Sequence, residues 1–374
     1  MTIIGGVNLN TIIEYVLNTK DDFKVKEFNC VDSLVLSQLA YLHFENIVLN
    51  SLDQNSKVSF QEIFENQKYE TIFKDVRDAN SNRELFAAVS KSPRFRNIEL
   101  TYYINEINTK IDKQFSAITY LMDGTIYIAY RGTDSSFAGW KEDLNMTHLY
   151  PIPAQEDGLK YMEEVADGIP GNIIVGGHSK GGNIALYASM KCQNSIQERI
   201  IKVYNHDGPG FKNEINNWIE YLRIKGKVNM TIPQSSFVGM LMNNPDDYSI
   251  VKSNRIGIMQ HDPFSWIVLK DDFMYCPKSS LNAVYISKTL NEWVKSVEYE
   301  DRALFIETLY QIVCSSEALN FSELTVNWQK RIICVLHTMR DVDSSTMKFL
   351  VKTILLLFKA QKHVVVSLSQ RQIS

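Results

Sequence analysis

Residues 177–181 read Gly-His-Ser-Lys-Gly and stand between an apolar run at 173–175 and a helix-compatible stretch at 182–190. A serine between glycines at this spacing, after a strand and before a helix, is typical of a nucleophile held on a sharp turn. Glycines are favoured beside it because a Cβ there would clash. The pattern predicts that Ser179 is a nucleophile, flanked by Gly177 and Gly181. The alternative is a turn whose serine only caps the next helix.

An activated serine needs a base that accepts its proton and a carboxylate that orients the base. His261 lies in the loop-like stretch 257–263, after the last predicted core strand, and we expect it to be the base. His206 directly precedes an aspartate at a strand end. His337 lies on a helix face, where a structural role is the better interpretation, and His363 lies near the end of the sequence.

The carboxylate that we expect is Asp207, which follows the β-rich run 200–204 and can meet a histidine from a later loop. An aspartate in a Gly-Pro turn is the alternative interpretation. Asp246 and Asp247 stand in an Asn-Pro-Asp turn that is expected to be solvated. Asp262 adjoins His261 and is expected to point elsewhere.

A developing oxyanion requires two oriented N–H donors. One is expected from the backbone of Lys180, the residue after the nucleophile. The other is expected from Thr133, in a Tyr-Arg-Gly-Thr-Asp stretch at 130–134, which could also offer its hydroxyl. The Lys180 side chain is expected to face solvent. Since no cluster of histidine, cysteine and carboxylate suggests a metal site, we expect no metal and no cofactor.

The elements that must position these residues begin with a hairpin. Two β-rich runs, 115–121 and 125–130, are joined through Asp123 and Gly124, a strong hairpin signal. Helices and strands then alternate: helix 155–167, strand 172–176, helix 181–193, strand 200–204, amphipathic helix 215–222 and strand 228–232. Such alternation predicts an α/β fold with a mostly parallel sheet and helices on both faces.

Three segments follow from this pattern. Residues 1–110 are predicted to be helical and to pack on the core, with a helix at 31–41 capped by Asp32 or Ser33. Residues 111–285 form the predicted α/β-hydrolase core, and residues 286–374 a helical C-terminal region. The stretch 349–358 is expected to pack on the core, with a membrane surface as the alternative.

Composition limits the function classes. The chain has 374 residues, 45% of them hydrophobic, and a net charge of -4 without Lys/Arg blocks, so nucleic-acid binding is not expected. The first residues lack the layout of a signal peptide, and the longest apolar run is too short to cross a bilayer. A cytoplasmic location is therefore expected. The five scattered cysteines are predicted to be buried thiols of a reducing compartment: Cys30, Cys192, Cys276, Cys314 and Cys334.

The motifs together resemble the class 3 lipases among the α/β-hydrolases, through residues 129–134, Trp140 with 143–144, and 177–182. A closer resemblance is to the bacterial Mbeg1-like family (DUF2974), whose cores are lipase-like. The segments that carry it are 31–41, 114–117, 207–211, 238–241 and 260–262 with Trp266. The resemblance spans roughly residues 25–270.

The resemblance implies a Ser-Asp-His site with Thr133 at the oxyanion position, and a lid at 134–139. This chain departs from the lipases, which hold the acid after the next strand, where Ser235 and Ser236 stand here. The family has no settled substrate, so the resemblance implies fold and chemistry without specificity.

The predicted function is a serine hydrolase that cleaves a small-molecule acyl ester, lipid-like in kind, through an acyl-enzyme. A thioesterase or an acyltransferase could use the same triad, and a non-catalytic interaction protein could keep the scaffold. Peripheral membrane contact through 134–139, with Phe137 and Trp140, is a further expectation. The oligomeric state is left open.

Overall fold

A nine-stranded sheet forms the centre of the molecule in this computed structural model, which describes residues 3–4, 7–8, 10–53, 57–66, 69–134, 137–236, 238–314 and 348. From one edge to the other the strands are β13 (Tyr275–Cys276), β10 (Ser249–Val251), β9 (Val228–Pro233), β8 (Ile200–His206), β7 (Asn172–His178), β6 (Thr125–Tyr130), β5 (Lys113–Met122), β4 (Glu99–Asn108) and β3 (Val58–Ser59). Two short pairs lie apart: β1 (Ile3–Ile4) with β2 (Val7–Asn8), and β11 (Val268–Leu269) with β12 (Asp272–Phe273).

The five strands β6 to β10 are mutually parallel, and antiparallel strands extend the sheet on both sides. Because parallel strands end at the same edge, the residues that follow β6, β7, β8 and β9 meet there. The helices are α1 (Ile12–Asn18), α2 (Cys30–Leu39), α3 (Phe60–Glu65), α4 (Ala79–Lys91), α5 (Phe137–Asn145), α6 (Pro153–Gly168), α7 (Lys180–Lys191), α8 (Asn194–Arg199), α9 (Ile219–Ile224), α10 (Leu281–Ser296) and α11 (Tyr299–Cys314).

Each face of the sheet has its own apolar core, because successive side chains of a strand point to opposite faces. On β6, Tyr127 and Ala129 contribute to the core that contains α1, α2 and α4. Ile126 and Ile128 contribute to the core that contains α6 and α7. The central strands are therefore covered on both sides, as the alternation of helices and strands predicted.

The hairpin and the alternating elements of the core are confirmed. Strands β5 and β6 pair antiparallel, and the turn between them places Asp123 at a φ of 35° and Gly124 at 81°. Such positive φ values match a tight hairpin turn, which Asp-Gly favours. The predicted strands and helices from 155 to 232 correspond to α6, β7, α7, β8, α9 and β9, but the prediction of a helix over 215–222 is wrong for 215–218, because α9 begins at Ile219 after a turn.

The prediction that residues 1–110 are helical is wrong for four segments: β1 and β2 form a short antiparallel pair, and β3 and β4 extend the central sheet. In this β-rich stretch Leu100, Thr101 and Ile104 pair with residues of β5, and Leu100, Thr101 and Tyr103 are buried. The predicted cap of α2 is also wrong. Asn29 caps it and accepts from the N–H groups of Val31 and Asp32, while the Asp32 carboxylate accepts from the Asn29 N–H.

Asp32 has a further role, since its buried carboxylate pairs with Arg94 at 2.6 Å and fastens α2 to the segment that follows α4.

Cys30 and Cys192 are buried as predicted, but Cys276 on the edge strand β13 is half-buried, which corrects that prediction. The C-terminal region is helical as far as residue 314, and the stretch 349–358 lies outside the described residues. No helix in the described part of the chain is long and apolar enough to cross a membrane. The three-segment division of the chain stays a prediction.

Candidate active site

Ser179 lies at the turn between β7 and α7, with a φ of 58° and a ψ of -134°. Such a conformation is costly for a residue with a side chain and recurs at functional sites. The flanking glycines permit it. A Cβ on Gly177 would lie 2.3 Å from the carbonyl carbon of Gly181, and a Cβ on Gly181 would lie 2.1 Å from the Tyr130 oxygen. The turn therefore packs directly on the end of β6, and Ser179 stays half-buried above the sheet edge.

Asp207 and His261 meet at the same edge. Asp207 follows β8 with a φ of 53° and is fully buried, and its Oδ2 lies 2.6 Å from Nδ1 of His261. The His261 side chain is 17% exposed and belongs to a 3-10 turn at Gly257–His261. Because an ionised carboxylate only accepts hydrogen bonds, this contact keeps a proton on Nδ1 and leaves the Nε2 lone pair available.

Ser236 completes the environment of this carboxylate. Its hydroxyl donates to Asp207 Oδ1 at 2.5 Å, and the Gly239 N–H donates to the same oxygen at 3.1 Å. Sequence reasoning considered position 236 only as the place where an acid was missing. The signal was present, because a residue after β9 lies beside one after β8 at the shared sheet edge.

His178 joins the His261 loop to the serine turn. Its Nε2 lies 2.8 Å from the His261 carbonyl oxygen, its Nδ1 lies 3.2 Å from the Tyr41 hydroxyl, and the two imidazole rings are 4.5 Å apart. Burial holds the pKa of His178 well below its usual value, so the ring is neutral, with Nε2 donating and Nδ1 accepting. Sequence reasoning named His178 only as a turn residue.

These contacts bring the His261 loop beside Ser179. Among the described residues, the Ser179 hydroxyl forms no direct hydrogen bond with the His261 ring. Hydrogen bonds of this kind are often long before substrate binds and shorten in the complex.

The stretch 130–134 lies against Ser179, as expected for an oxyanion loop. A Cβ on Gly132 would lie 3.0 Å from Ser179 Cβ and 2.6 Å from the His178 oxygen, so only glycine fits there. Within the part of the chain that the structure describes, the N–H groups of Thr133 and Lys180 have no hydrogen-bond partner. Lys180 is the first residue of α7, where an N–H has no intrahelical partner. Both donors are thus available.

The Thr133 hydroxyl is already engaged, since it donates to Asp143 Oδ1 at 2.6 Å. Burial raises the pKa of Asp143 to about 6, opposed by the nearby Lys180 ammonium and by the Thr133 hydrogen bond. The sequence suggested that both the hydroxyl and the N–H of Thr133 could donate to an oxyanion. Among the described residues, only the N–H has no other hydrogen bond.

The prediction that the Lys180 side chain faces solvent is wrong. Only 1% of it is exposed, and its Nζ donates to Glu142 Oε2 at 2.6 Å and to the Gln114 carbonyl at 3.0 Å. Glu142 is fully buried and also accepts from the N–H groups of Gln114 and Ala154. The first residue of α7 points towards α5 because the other side of the turn is occupied by β6. The ion pair therefore fastens the serine turn to α5 and β5.

We expect Glu142→Gln to lower the free energy of unfolding by about 3–5 kcal/mol, because it removes the close counter-charge of the buried Lys180 ammonium and leaves only Asp143, whose Oδ1 is 3.9 Å away. Urea unfolding of the two proteins measures the loss. A double variant that also carries Lys180→Met should regain part of it, since the buried ammonium is then absent. A loss below about 1 kcal/mol for Glu142→Gln would contradict this role for the pair.

The remaining predicted candidates lie elsewhere. His206 is buried, 2.9 Å from the Ser33 hydroxyl and 2.8 Å from that of Thr231. Asp246 and Asp247 are exposed, as expected. Asp262 points away from the site and pairs with Arg255, as expected. His337 and His363 lie outside the described residues.

His206 should make stability depend on pH, because burial lowers its pKa from 6.5 to about 3. The unfolded chain binds a proton at pH values where the folded His206 does not, so stability falls as the pH falls from about 6 to 4. One such group contributes about 1.4 kcal/mol per pH unit. The slope of unfolding free energy against pH should decrease by that amount in His206→Gln. An unchanged slope would contradict a neutral buried imidazole.

Two further expectations concern the lid and metals. Residues 135–136 and the side chains of Phe137 and Trp140 lie outside what the structure describes, and α5 begins at the end of this stretch. Within the described ranges, no group of three or more histidine, cysteine or carboxylate side chains could hold a metal ion.

The parallel strands, the helices on both faces and the serine turn after β7 define an α/β-hydrolase fold. A family model described as Mbeg1-like matches residues 89–311, which is more than half of the sequence. The chain therefore belongs to the Mbeg1-like family.

Several solved lipases resemble this chain. The native propeptide complex of Rhizomucor miehei lipase is 13% identical over 68% of this chain and 73% of the lipase, with a TM-score of 0.35. A fungal lipase–inhibitor complex is 14% identical over 74% and 94%, with a TM-score of 0.37. Lip2 lipase from Yarrowia lipolytica is 15% identical over 50% and 72%, with a TM-score of 0.33. A search of curated proteins found no match.

Proposed function

We propose that this protein is a serine hydrolase that cleaves acyl esters, lipid-like in kind, through an acyl-enzyme intermediate. The observation that carries the proposal is the 2.6 Å contact between Asp207 and His261, at the sheet edge where Ser179 stands on its strained turn. A carboxylate, an imidazole and a serine in this chain order are the groups that acyl transfer requires.

In the first step, the Ser179 oxygen attacks the ester carbonyl while His261 Nε2 takes the hydroxyl proton. The buried Asp207 carboxylate stabilises the imidazolium that forms and keeps the ring in its orientation. The tetrahedral intermediate collapses when His261 returns the proton to the leaving alcohol. The acyl group is then an ester of Ser179, and a water molecule, deprotonated by the same histidine, releases the carboxylic acid.

The N–H groups of Lys180 and Thr133 are the proposed donors to the oxyanion. Donors that are fixed before the reaction stabilise the developing charge without reorganisation, and each such donor contributes about 2.7–4 kcal/mol in comparable sites. The buried pair between Lys180 and Glu142 supports this role, because it restrains the turn that carries one donor. The bond from Thr133 to Asp143 restrains the other.

Matched substrates test the reaction class. Esters and thioesters of the same acyl chains, from two to sixteen carbons, are compared by kcat/KM, with alcohols added as competing acceptors. The proposal expects ester hydrolysis that disappears in Ser179→Ala. A preference for thioesters or for transfer to the alcohol would assign the site to the other two reaction classes. A folded protein that hydrolyses none of them would favour a non-catalytic scaffold.

Peripheral membrane contact through residues 134–139 is a separate proposal. It is supported by the position of this segment, directly after the oxyanion loop. Liposome flotation of the protein and of a Phe137→Ser, Trp140→Ser variant tests it. Binding that the variant loses supports the contact, and an absence of binding by the unaltered protein would contradict it.

A further inference from the structure

A second polar cleft lies between the C-terminal helices and the core, away from the residues assigned above. It has a volume of about 280 Å³. Its walls come from the segment after α5, from the segment between β8 and α9, from the segment between β9 and β10, and from α10 and α11. The residues that matter for its chemistry are Thr147, Lys212, Asn213, Asn291, Lys295 and Arg302.

The described lining of this cleft contains three cationic side chains and no acid. One nitrogen of the Arg302 guanidinium is bound within the protein, since Nη1 donates to the Val294 carbonyl at 2.9 Å. Its Nε is buried and has no hydrogen-bond partner among the described residues. A buried guanidinium N–H without an acceptor is unfavourable, so this donor favours an acceptor that the protein itself does not supply.

The two lysines belong to different segments of the wall, Lys212 to the segment between β8 and α9 and Lys295 to α10. Lys212 is anchored, because its Nζ donates to the His148 carbonyl at 2.9 Å. Lys295 is exposed on α10 and forms no ion pair with a described acid. The charge of Glu298, an exposed residue four positions earlier in the sequence, acts on Arg302 and offsets part of the positive charge. The described residues that line the cleft carry a net positive charge.

The frame around the cleft is built by side-chain amides. Asn291 accepts from the Met242 N–H at 2.7 Å and donates to the Met240 carbonyl at 3.0 Å. Lys295 lies four residues further along α10, on the same face of the helix. Asn243 donates to the carbonyls of Phe211 and Lys212 and so fixes the wall that carries the second lysine.

The neighbouring His148 responds to the same charges. It is buried, and burial together with the nearby Arg302 and Lys212 lowers its pKa to about 4.

We infer that this cleft binds a phosphate group. The guanidinium of Arg302 offers paired N–H donors that match phosphate oxygens, and two ammonium groups add positive charge. The same chemistry would recognise free phosphate, a soluble phosphomonoester or the phosphate head group of a lipid. The site is independent of the proposed hydrolysis, since none of its residues belongs to the serine, histidine and aspartate arrangement.

Calorimetric titration of the full chain with inorganic phosphate tests the inference, with chloride at matched ionic strength as the reference. We expect saturable binding at one site and a loss of affinity of about tenfold or more in Lys295→Gln and in Arg302→Gln, as for a lost charge-assisted contact. Lys278→Gln removes an exposed lysine outside the cleft and should leave binding unchanged. Thermal melting shows whether each variant is folded, and Lys295 is exposed, so its replacement leaves the fold intact.

A second arm distinguishes the sources of the phosphate. Phosphatidylcholine vesicles with and without phosphatidic acid are tested for capture of the protein. Capture that requires phosphatidic acid and is lost in Lys295→Gln supports a lipid head group. Phosphate binding without capture supports a soluble phosphate compound. The inference is overturned if inorganic phosphate does not bind saturably, or if Lys295→Gln and Lys278→Gln bind it as well as the unaltered protein.

Discussion

Ser179→Ala is expected to lower kcat for ester hydrolysis by about 10⁵–10⁶-fold. The alanine removes the oxygen that forms the acyl-enzyme, and loss of the nucleophile in comparable sites costs about as much as loss of the whole triad. The residual rate would come from water attacking a substrate that is still bound beside the oxyanion donors. Initial rates on the best ester of the chain-length series measure the change.

A serine outside the proposed machinery provides the control. Ser235→Ala removes a hydroxyl at the same sheet edge, one that contacts the Ser280 hydroxyl at 2.9 Å. It should retain nearly the full rate. Comparable rates for Ser179→Ala and the unaltered protein would show that the hydrolysis arises elsewhere.

Asp207→Asn is expected to lower kcat by about 10⁴-fold while the fold persists. The carboxylate holds the proton of His261 on Nδ1, whereas an amide at the same place can donate to Nδ1 and shift the proton to Nε2. A histidine with its proton on Nε2 cannot accept the proton of Ser179. Single-turnover rates with an activated ester separate this effect from changes in substrate binding.

Ser236→Ala provides the graded comparison for that experiment. It removes one hydrogen bond to Asp207 and leaves those from Gly239 and His261, so a loss of about threefold to tenfold is expected. A near-normal rate for Asp207→Asn would show that another carboxylate orients the base.

The core of the fold could be predicted from local patterns. The hairpin turn at Asp123 and Gly124 and the alternating strands and helices from 155 to 232 depend on neighbouring residues, and the structure contains them. The strand β4 was missed because the residues around it resembled helical segments. These residues form a strand because they pair with β5, and this pairing is a tertiary contact that local patterns do not reveal.

The candidate site was likewise predictable from the sequence in some parts and not in others. Motif spacing and strand ends were sufficient to select Asp207 and His261, which the structure places in contact. The burial of Lys180 could not be predicted, because its partner Glu142 is 38 residues away and belongs to a different helix. The contribution of Ser236 follows from the order of strands in the sheet, which the chain order alone does not specify.

If Ser179 is an activated nucleophile, it should react covalently with an electrophilic phosphorus probe. The purified protein, Ser179→Ala and His261→Ala are incubated with a fluorophosphonate probe, and the adduct is located by peptide mass spectrometry. We expect an adduct on Ser179 that is absent in Ser179→Ala and much slower to form in His261→Ala. An unlabelled Ser179 in a folded protein, or equal labelling in His261→Ala, would contradict it.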